Sequence, residues 1–152
     1  MPADVPAIEG VGIHPLQAIA DDRGAVLHML RADAEHFDRF GEIYFSTVHP
    51  GRVKAWQRHR RMTLNYAVPV GQIRFVIFDD REDSATRGRL MELSIGESNY
   101  CLVIVPSGLW SGFKGLGDRT ALVANCATLP HDPAEIERRA QDTPTIPYDW
   151  SR

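Results

Sequence analysis

The sequence predicts an all-β fold, a barrel or sandwich of short antiparallel strands in a single domain spanning 1–152. Three observations carry this. Six short runs are rich in β-formers: Gly41 to Val48, Met62 to Pro69, Gln72 to Phe78, Arg89 to Ile95, Tyr100 to Val105 and Thr120 to Cys126. Turn signals separate them at Pro50-Gly51, Val70-Gly71, Gly96 and Pro106 to Gly108. Helical patterns are scarce, which excludes a parallel sheet, whose crossovers need helices.

Of the six runs, Gln72 to Phe78 alternates most cleanly, with Ile73, Phe75 and Ile77 on one face and Gln72 and Arg74 on the other. Ala32 to Phe40 is charged with scattered apolar residues and fits a short helix or a turn. Pro133 to Ala140 reads as a short helix: Asp132 caps it, Pro133 suits its first turn, and Glu135 and Glu137 precede Arg138 and Arg139. The tail, Gln141 to Arg152, carries Pro144, Pro147 and Tyr148-Asp149-Trp150. Disordered tails are poor in aromatics, so this one is expected to pack back on the barrel.

A chain of 152 residues is long enough to bury a core without staples. Apolar residues make up 43% and charged residues 24%, ordinary for a globular domain. The net charge of −3 argues against a nucleic-acid partner. The longest apolar run, Cys101 to Val105, is too short to cross a bilayer, so no membrane partner is expected. Met1 to Gly10 shows neither a basic start nor an apolar run, and the expected location is the cytoplasm. Cys101 and Cys126 lack CxxC spacing and read as buried, reduced thiols.

The segment from Gly51 to His59 holds the most chemistry. Its spacing is similar to the first metal-binding motif of the cupin barrels, in which two histidines two residues apart face inward and a glutamate on the next strand joins them. Gly51 and Gly71 fill that motif's glycine slots, Gln57 and His59 the histidine slots, and Leu64 the glutamate slot. The second cupin motif ends in a histidine, and Pro106-Ser107-Gly108-Leu109-Trp110-Ser111 ends in serine. One ligand in four slots does not make a first-row metal site, so neither metal nor cofactor is expected.

A closer resemblance runs from about Gly10 to the C-terminus. Asp22-Arg23-Gly24, the hairpin from Asp79 to Gly88, the turn from Pro106 to Phe113 and Ile146-Pro147-Tyr148-Asp149-Trp150 follow in the order of the motifs of the dTDP-4-dehydrorhamnose 3,5-epimerase family. The chain resembles a divergent member of it. The resemblance implies a cupin jelly roll, a homodimer and a small-molecule substrate such as a dTDP-linked 4-keto-6-deoxyhexose. It implies a metal-free mechanism, with a histidine removing a proton beside the keto group, a tyrosine returning one on the other face, and basic residues holding the enolate.

Residue by residue, the family's histidine falls on Gln57, and an amide has no useful basicity. The histidine of the Pro-x-Gly turn falls on Ser111, an arginine on Lys54, and a glutamate on His28. The tyrosine is due near Ala127 to His131, where this chain has none. Arg23 matches a position that reaches a neighbouring subunit's nucleotide. Asn65 and Tyr66 fall where the family lines its pocket, and Ser111 and Lys114 are assigned with them to substrate binding. His59, with a side chain expected to point as Gln57 does, is either a replacement base or a binding or structural residue. Lys54 is read as a pyrophosphate grip, Arg60 and Arg61 as a solvated run, His49 as structural, Trp56 and Trp110 as core, and Asp79 to Asp83 as a charged turn.

The substitutions fall on polar pocket positions while turn glycines and barrel apolars persist, the pattern of a repurposed pocket. Three functions fit: an epimerase or keto-isomerase, altered or inactive, that uses Lys54, Gln57 and His59; a different isomerase or cyclase of secondary metabolism; or a non-catalytic binding protein.

Overall fold

The computed structural model describes residues 7–152 and contains twelve strands. In chain order these are β1 (Gly12–Pro15), β2 (Ala18–Asp21), β3 (Gly24–Leu27), β4 (Glu42–Val48), β5 (Val53–His59) and β6 (Leu64–Val70). After them come β7 (Gln72–Phe78), β8 (Leu90–Gly96), β9 (Cys101–Val105), β10 (Trp110–Leu116), β11 (Ala121–Ala127) and β12 (Ile136–Arg138). One five-stranded sheet has the order β1-β9-β6-β11-β4, the other β12-β5-β10-β7-β8, and β2-β3 forms a separate hairpin. Every pairing between these strands is antiparallel. The fold is the jelly roll expected from the sequence.

All six β-rich runs are strands, within one or two residues at their ends. The inward faces of both large sheets share one core, with Leu64, Tyr66 and Val68 of β6 packed among Ile73, Phe75 and Ile77 of β7 and Phe113 of β10. Strand β7 is buried on its other face too, where Val76 and Phe78 join Trp56, Trp110, Ile146 and Trp150 in a second apolar cluster. This cluster lies outside the barrel, under the C-terminal tail, which does fold back. The Lys114 ammonium donates to the Trp150 carbonyl at 2.8 Å, Arg74 to that of Arg152 at 2.6 Å, and the Tyr148 hydroxyl to Glu92 at 2.8 Å.

Two expectations are corrected. Pro133 to Ala140 is not a helix. Asp132 caps a single 3₁₀ turn over Pro133–Glu135, and the chain then extends as β12 along the edge of β5. An eight-residue helix is marginal alone, and the open edge of β5 offers hydrogen bonds that it cannot match. Ala32 to Phe40 takes the turn alternative, with i to i+3 bonds from Ala34 and Phe37. Strands β2 and β3 escape sequence reading because both are exposed along their length and show no alternation, and β10 because Gly112 and Gly115 interrupt its pattern.

The Asp79 to Asp83 run is the charged turn expected, organised by a fully buried Asp79. Its carboxylate accepts from Arg81 Nε and Nη2 (3.0 Å each), Ser84 Oγ (2.5 Å) and Thr86 Oγ1 (2.6 Å). Burial pushes this carboxyl up, but those hydrogen bonds outweigh it and hold it well below the usual carboxylate range. A folded-state value below the unfolded one stabilises the protein above about pH 4, and the gain is lost as pH falls through the folded value. Asp79→Asn is therefore expected to lose about 2 kcal/mol at pH 7. In urea unfolding, its deficit against the parent should shrink steadily below pH 4.

Candidate functional site

Between the two large sheets lies a cavity of about 670 Å³. One wall is β5 with its neighbours β10 and β12, and the facing wall is β4, β11 and β6. The β5 wall depends on an irregularity. Ser111 of β10 is level with Gln57 and Phe113 with Lys54, so Ala55 and Trp56 together oppose the lone Gly112. This is a β-bulge, and the Ala55–Trp56 peptide within it is cis. Residues 54 and 57 would face opposite ways on a regular strand. Here both line the cavity, and although Ala55 and Trp56 also border it, the Trp56 side chain is packed in the second apolar cluster. Position 112 admits only glycine, because a Cβ there would sit 2.4 Å from that of Ala55.

Beyond the bulge β5 is regular, so Gln57 and His59 share a face and both line the cavity. Strand β12 pairs Ile136 with His59, Glu137 with Arg58 and Arg138 with Gln57. The Arg58–Glu137 ion pair marks the outer face, which leaves Arg138 beside Gln57 on the cavity side. Position 57 thus lies between Ser111 and Arg138 across the sheet. The Gln57 amide donates to the Tyr66 hydroxyl at 3.2 Å, and Lys54 donates to Ser46 Oγ at 3.0 Å. Burial, then the neighbouring Tyr44, push the Tyr66 phenol far above its usual value, so it stays neutral.

His59 and Glu135 are both buried, and the imidazole Nδ1 is hydrogen-bonded to the Glu135 carboxylate. The carboxylate's other oxygen accepts from the backbone amides of Arg61 (3.0 Å) and Met62 (3.1 Å). Burial alone would raise the Glu135 carboxyl, but the bond from His59 and these two amides hold it below the ordinary value. An ionised Glu135 can only accept, so Nδ1 carries a proton, and in the neutral ring Nε2 is then the nitrogen with the lone pair. That Nε2 is buried with no hydrogen-bond partner among the described residues. Such an orphan costs about 1–3 kcal/mol and calls for an explanation.

On the facing wall, the Asn65 amide nitrogen donates to Asn125 Oδ1 at 3.0 Å, and Asn125 Nδ2 donates to the Tyr44 hydroxyl at 3.0 Å. The Asn65 side chain donates to the Cys126 carbonyl at 2.8 Å, which ties β6 to β11.

The structure brings Lys54, Gln57, His59, Tyr66 and Ser111 together around the cavity. It does not bring the other proposed site residues there. Asn65 is occupied between strands, and Lys114 lies on the outer face of β10, where it anchors the tail. Arg23 is exposed on the β2-β3 hairpin and pairs with Asp21 at 2.7 Å, and His28 follows β3 without lining the cavity. Sequence reading missed Tyr44, Asn125, Glu135 and Arg138. Tyr44 and Ser46 alternate with exposed Ile43 and Phe45, a pattern visible in the β4 run, and Asn125 is a lone amide in an apolar one. Among the described residues, no three His, Cys, Asp or Glu side chains converge as a metal site would require.

A family model described as dTDP-4-dehydrorhamnose 3,5-epimerase matches residues 6–152. The chain belongs to this family. It is 40% identical over 151 residues to a probable low-salt glycan biosynthesis epimerase of Haloferax volcanii, covering 97% of each chain. A spore coat polysaccharide biosynthesis protein of Bacillus subtilis is 30% identical over 146 residues, covering 95% of this chain and 97% of that one. Among solved structures, a dTDP sugar isomerase from Desulfovibrio desulfuricans superposes with a TM-score of 0.93 at 50% identity, over 95% of this chain and 92% of that one. A 4-keto-6-deoxy sugar epimerase from Streptomyces spheroides shares the fold, with a TM-score of 0.86 at 21% identity over 97% of this chain and 77% of that one. The protein is thus an epimerase-like cupin of the nucleotide-sugar family, and among the described residues no helix is long and apolar enough to cross a membrane.

Proposed function

We propose that the protein is an isomerase of dTDP-linked keto-deoxy sugars in which His59, rather than residue 57, moves the proton. The observation that carries this is the His59–Glu135 pair on the cavity wall. A base needs a lone pair and an orienting partner, and Glu135 fixes both the ring and its tautomer. Nε2 lies buried beneath the cavity surface, so the wall must shift to bring a hydrogen beside a sugar carbonyl against it, a contact that would then give Nε2 its missing partner. As that proton leaves, charge builds on the carbonyl oxygen. Lys54, three residues back along β5, and Arg138, beside position 57 on β12, are cations of the cavity wall that can meet it. Nothing in this transfer calls for a metal. The dTDP-sugar assignment rests on the 50%-identical relative described as a dTDP sugar isomerase.

One observation favours a second reading. Gln57 fills the centre of the site with an amide already bonded to Tyr66, which suits a protein that binds the sugar without turning it over. Incubation with dTDP-4-keto-6-deoxyglucose in D2O separates the two. The isomerase reading expects deuterium at C3 or C5, and at least 100-fold slower exchange in His59→Asn, the usual weight of a general base. A thermal shift with dTDP-sugar but no exchange, beside an active family enzyme, would leave a binding protein. No shift with any nucleotide sugar would point instead to an isomerase or cyclase acting on a different small molecule.

The homodimer is proposed on the same footing. Strand β4 is a sheet edge with Ile43 and Phe45 exposed, and the β2-β3 hairpin exposes Ile19, Val26 and Leu27. Light scattering should give twice the 17.0 kDa chain mass, and Phe45→Glu should return it to one; a monomeric parent protein would refute the assignment.

A further inference from the structure

The resemblance places the family's second proton-transfer residue, a tyrosine, near Ala127 to His131, and this chain has none there. An epimerase must still deliver a proton to the face opposite its base. The cavity holds two phenols, Tyr44 and Tyr66, both on the wall facing β5. Tyr66 is fully enclosed by the core aromatics Phe75 and Phe113. Tyr44 is half-buried and open to the cavity. It lies one strand over from the place where the tyrosine was expected, since β11 pairs Asn125 with Tyr44 and Ala127 with Glu42.

The direction of the Tyr44 proton follows from its neighbours. The backbone nitrogen of Asn65 can only donate, so the Asn125 atom facing it is Oδ1. That turns Nδ2, also purely a donor, onto the Tyr44 oxygen. Tyr44 must therefore accept from Asn125, and its own proton points elsewhere. Among the described residues the Tyr44 hydroxyl makes no other hydrogen bond, and the space left to it is the cavity.

We infer that Tyr44 is the catalytic acid, delivering a proton from the β4 wall to the sugar face opposite His59, with Asn125 as its positioning residue. This rests on the isomerase reading above. His59 Nε2 takes the proton from the carbon beside the carbonyl, and the C–H electron pair moves to form an enolate. The enolate collapses to the carbonyl as its carbon takes the Tyr44 proton on the other face. The resulting phenolate then regains a proton from water and His59 loses one to it, so the cycle closes without any redox partner.

The experiment compares deuterium exchange with inversion at the same carbon, using dTDP-4-keto-6-deoxyglucose in D2O and the full-length protein. Tyr44→Phe removes only the hydroxyl and is expected to cut inversion at least 100-fold, while exchange with retention stays within tenfold, because His59 can return deuterium to the face it came from. Asn125→Asp keeps an oxygen for the Asn65 amide but presents an acceptor to Tyr44, drawing the phenol proton away from the cavity. It too should lower inversion relative to exchange, whereas loss of structure would lower both equally. Inversion at the parental rate in Tyr44→Phe, equal loss of both rates in either variant, or a parent enzyme that exchanges without inverting would overturn the Tyr44 assignment alone. A parent enzyme that does not exchange at all would overturn the isomerase reading and this assignment with it.

Discussion

Where Ala55 and Trp56 of β5 lie opposite the single Gly112 of β10, two strands of unequal residue count share one sheet. The mismatch decides which side chains see the cavity. With a regular β5 fixed at Gln57 and His59, Lys54 would turn outward into the apolar cluster under the tail. Fixed instead at Lys54, the strand would carry Gln57 and His59 outward and bring Trp56 in. Trp56 is 1% exposed where it is. A side chain of that size buries on the order of 200 Å², worth roughly 5 kcal/mol before entropy is charged against it. The bulged register is thus held from outside the barrel, by Trp150 and Tyr148 against Trp56, and Gly112 leaves the room for it.

The C-terminal tail is therefore part of the site although it does not line the cavity. Lys114, Arg74 and Glu92 fasten it. Trp56 also exchanges backbone hydrogen bonds with Arg139, just past β12, and β12 in turn carries Arg138 and follows directly on Glu135. One stretch of chain thus supplies the orienting carboxylate, a cavity cation and the outer support of the bulge.

Much of the barrel was readable from local signals, because strands buried on one face must alternate and their turns need particular residues. The runs that became β4 and β6 to β9, together with β11, show this, and Gln72 to Phe78 was placed to the residue. What failed were elements defined by their neighbours. Residues 136–138 have the composition of a helix end and extend only because the edge of β5 is free to pair. The site divides in the same way. Gln57, His59 and Lys54 were visible in a spaced motif, but the bulge that brings Lys54 to the same face has no local signature. Glu135 looked like an ordinary acidic residue in a first helical turn; only the fold carries it across 76 residues to His59. Asn65, which falls where the family lines its pocket, and Lys114 were assigned to substrate binding, and cross-strand bonding and strand alternation send their side chains elsewhere.

If a repurposed pocket keeps an isomerase's chemistry after losing the base at position 57, that chemistry depends on His59 keeping an unpartnered Nε2 that bound substrate can reach. Nitrogen-15 NMR of histidine-labelled protein, with His59→Asn for assignment, reads the tautomer directly. The account predicts that neutral His59 carries its proton on Nδ1, bound to Glu135, and that its Nε2 signal shifts when dTDP-4-keto-6-deoxyglucose binds. A proton on Nε2, or an Nε2 signal indifferent to bound ligand, would contradict it.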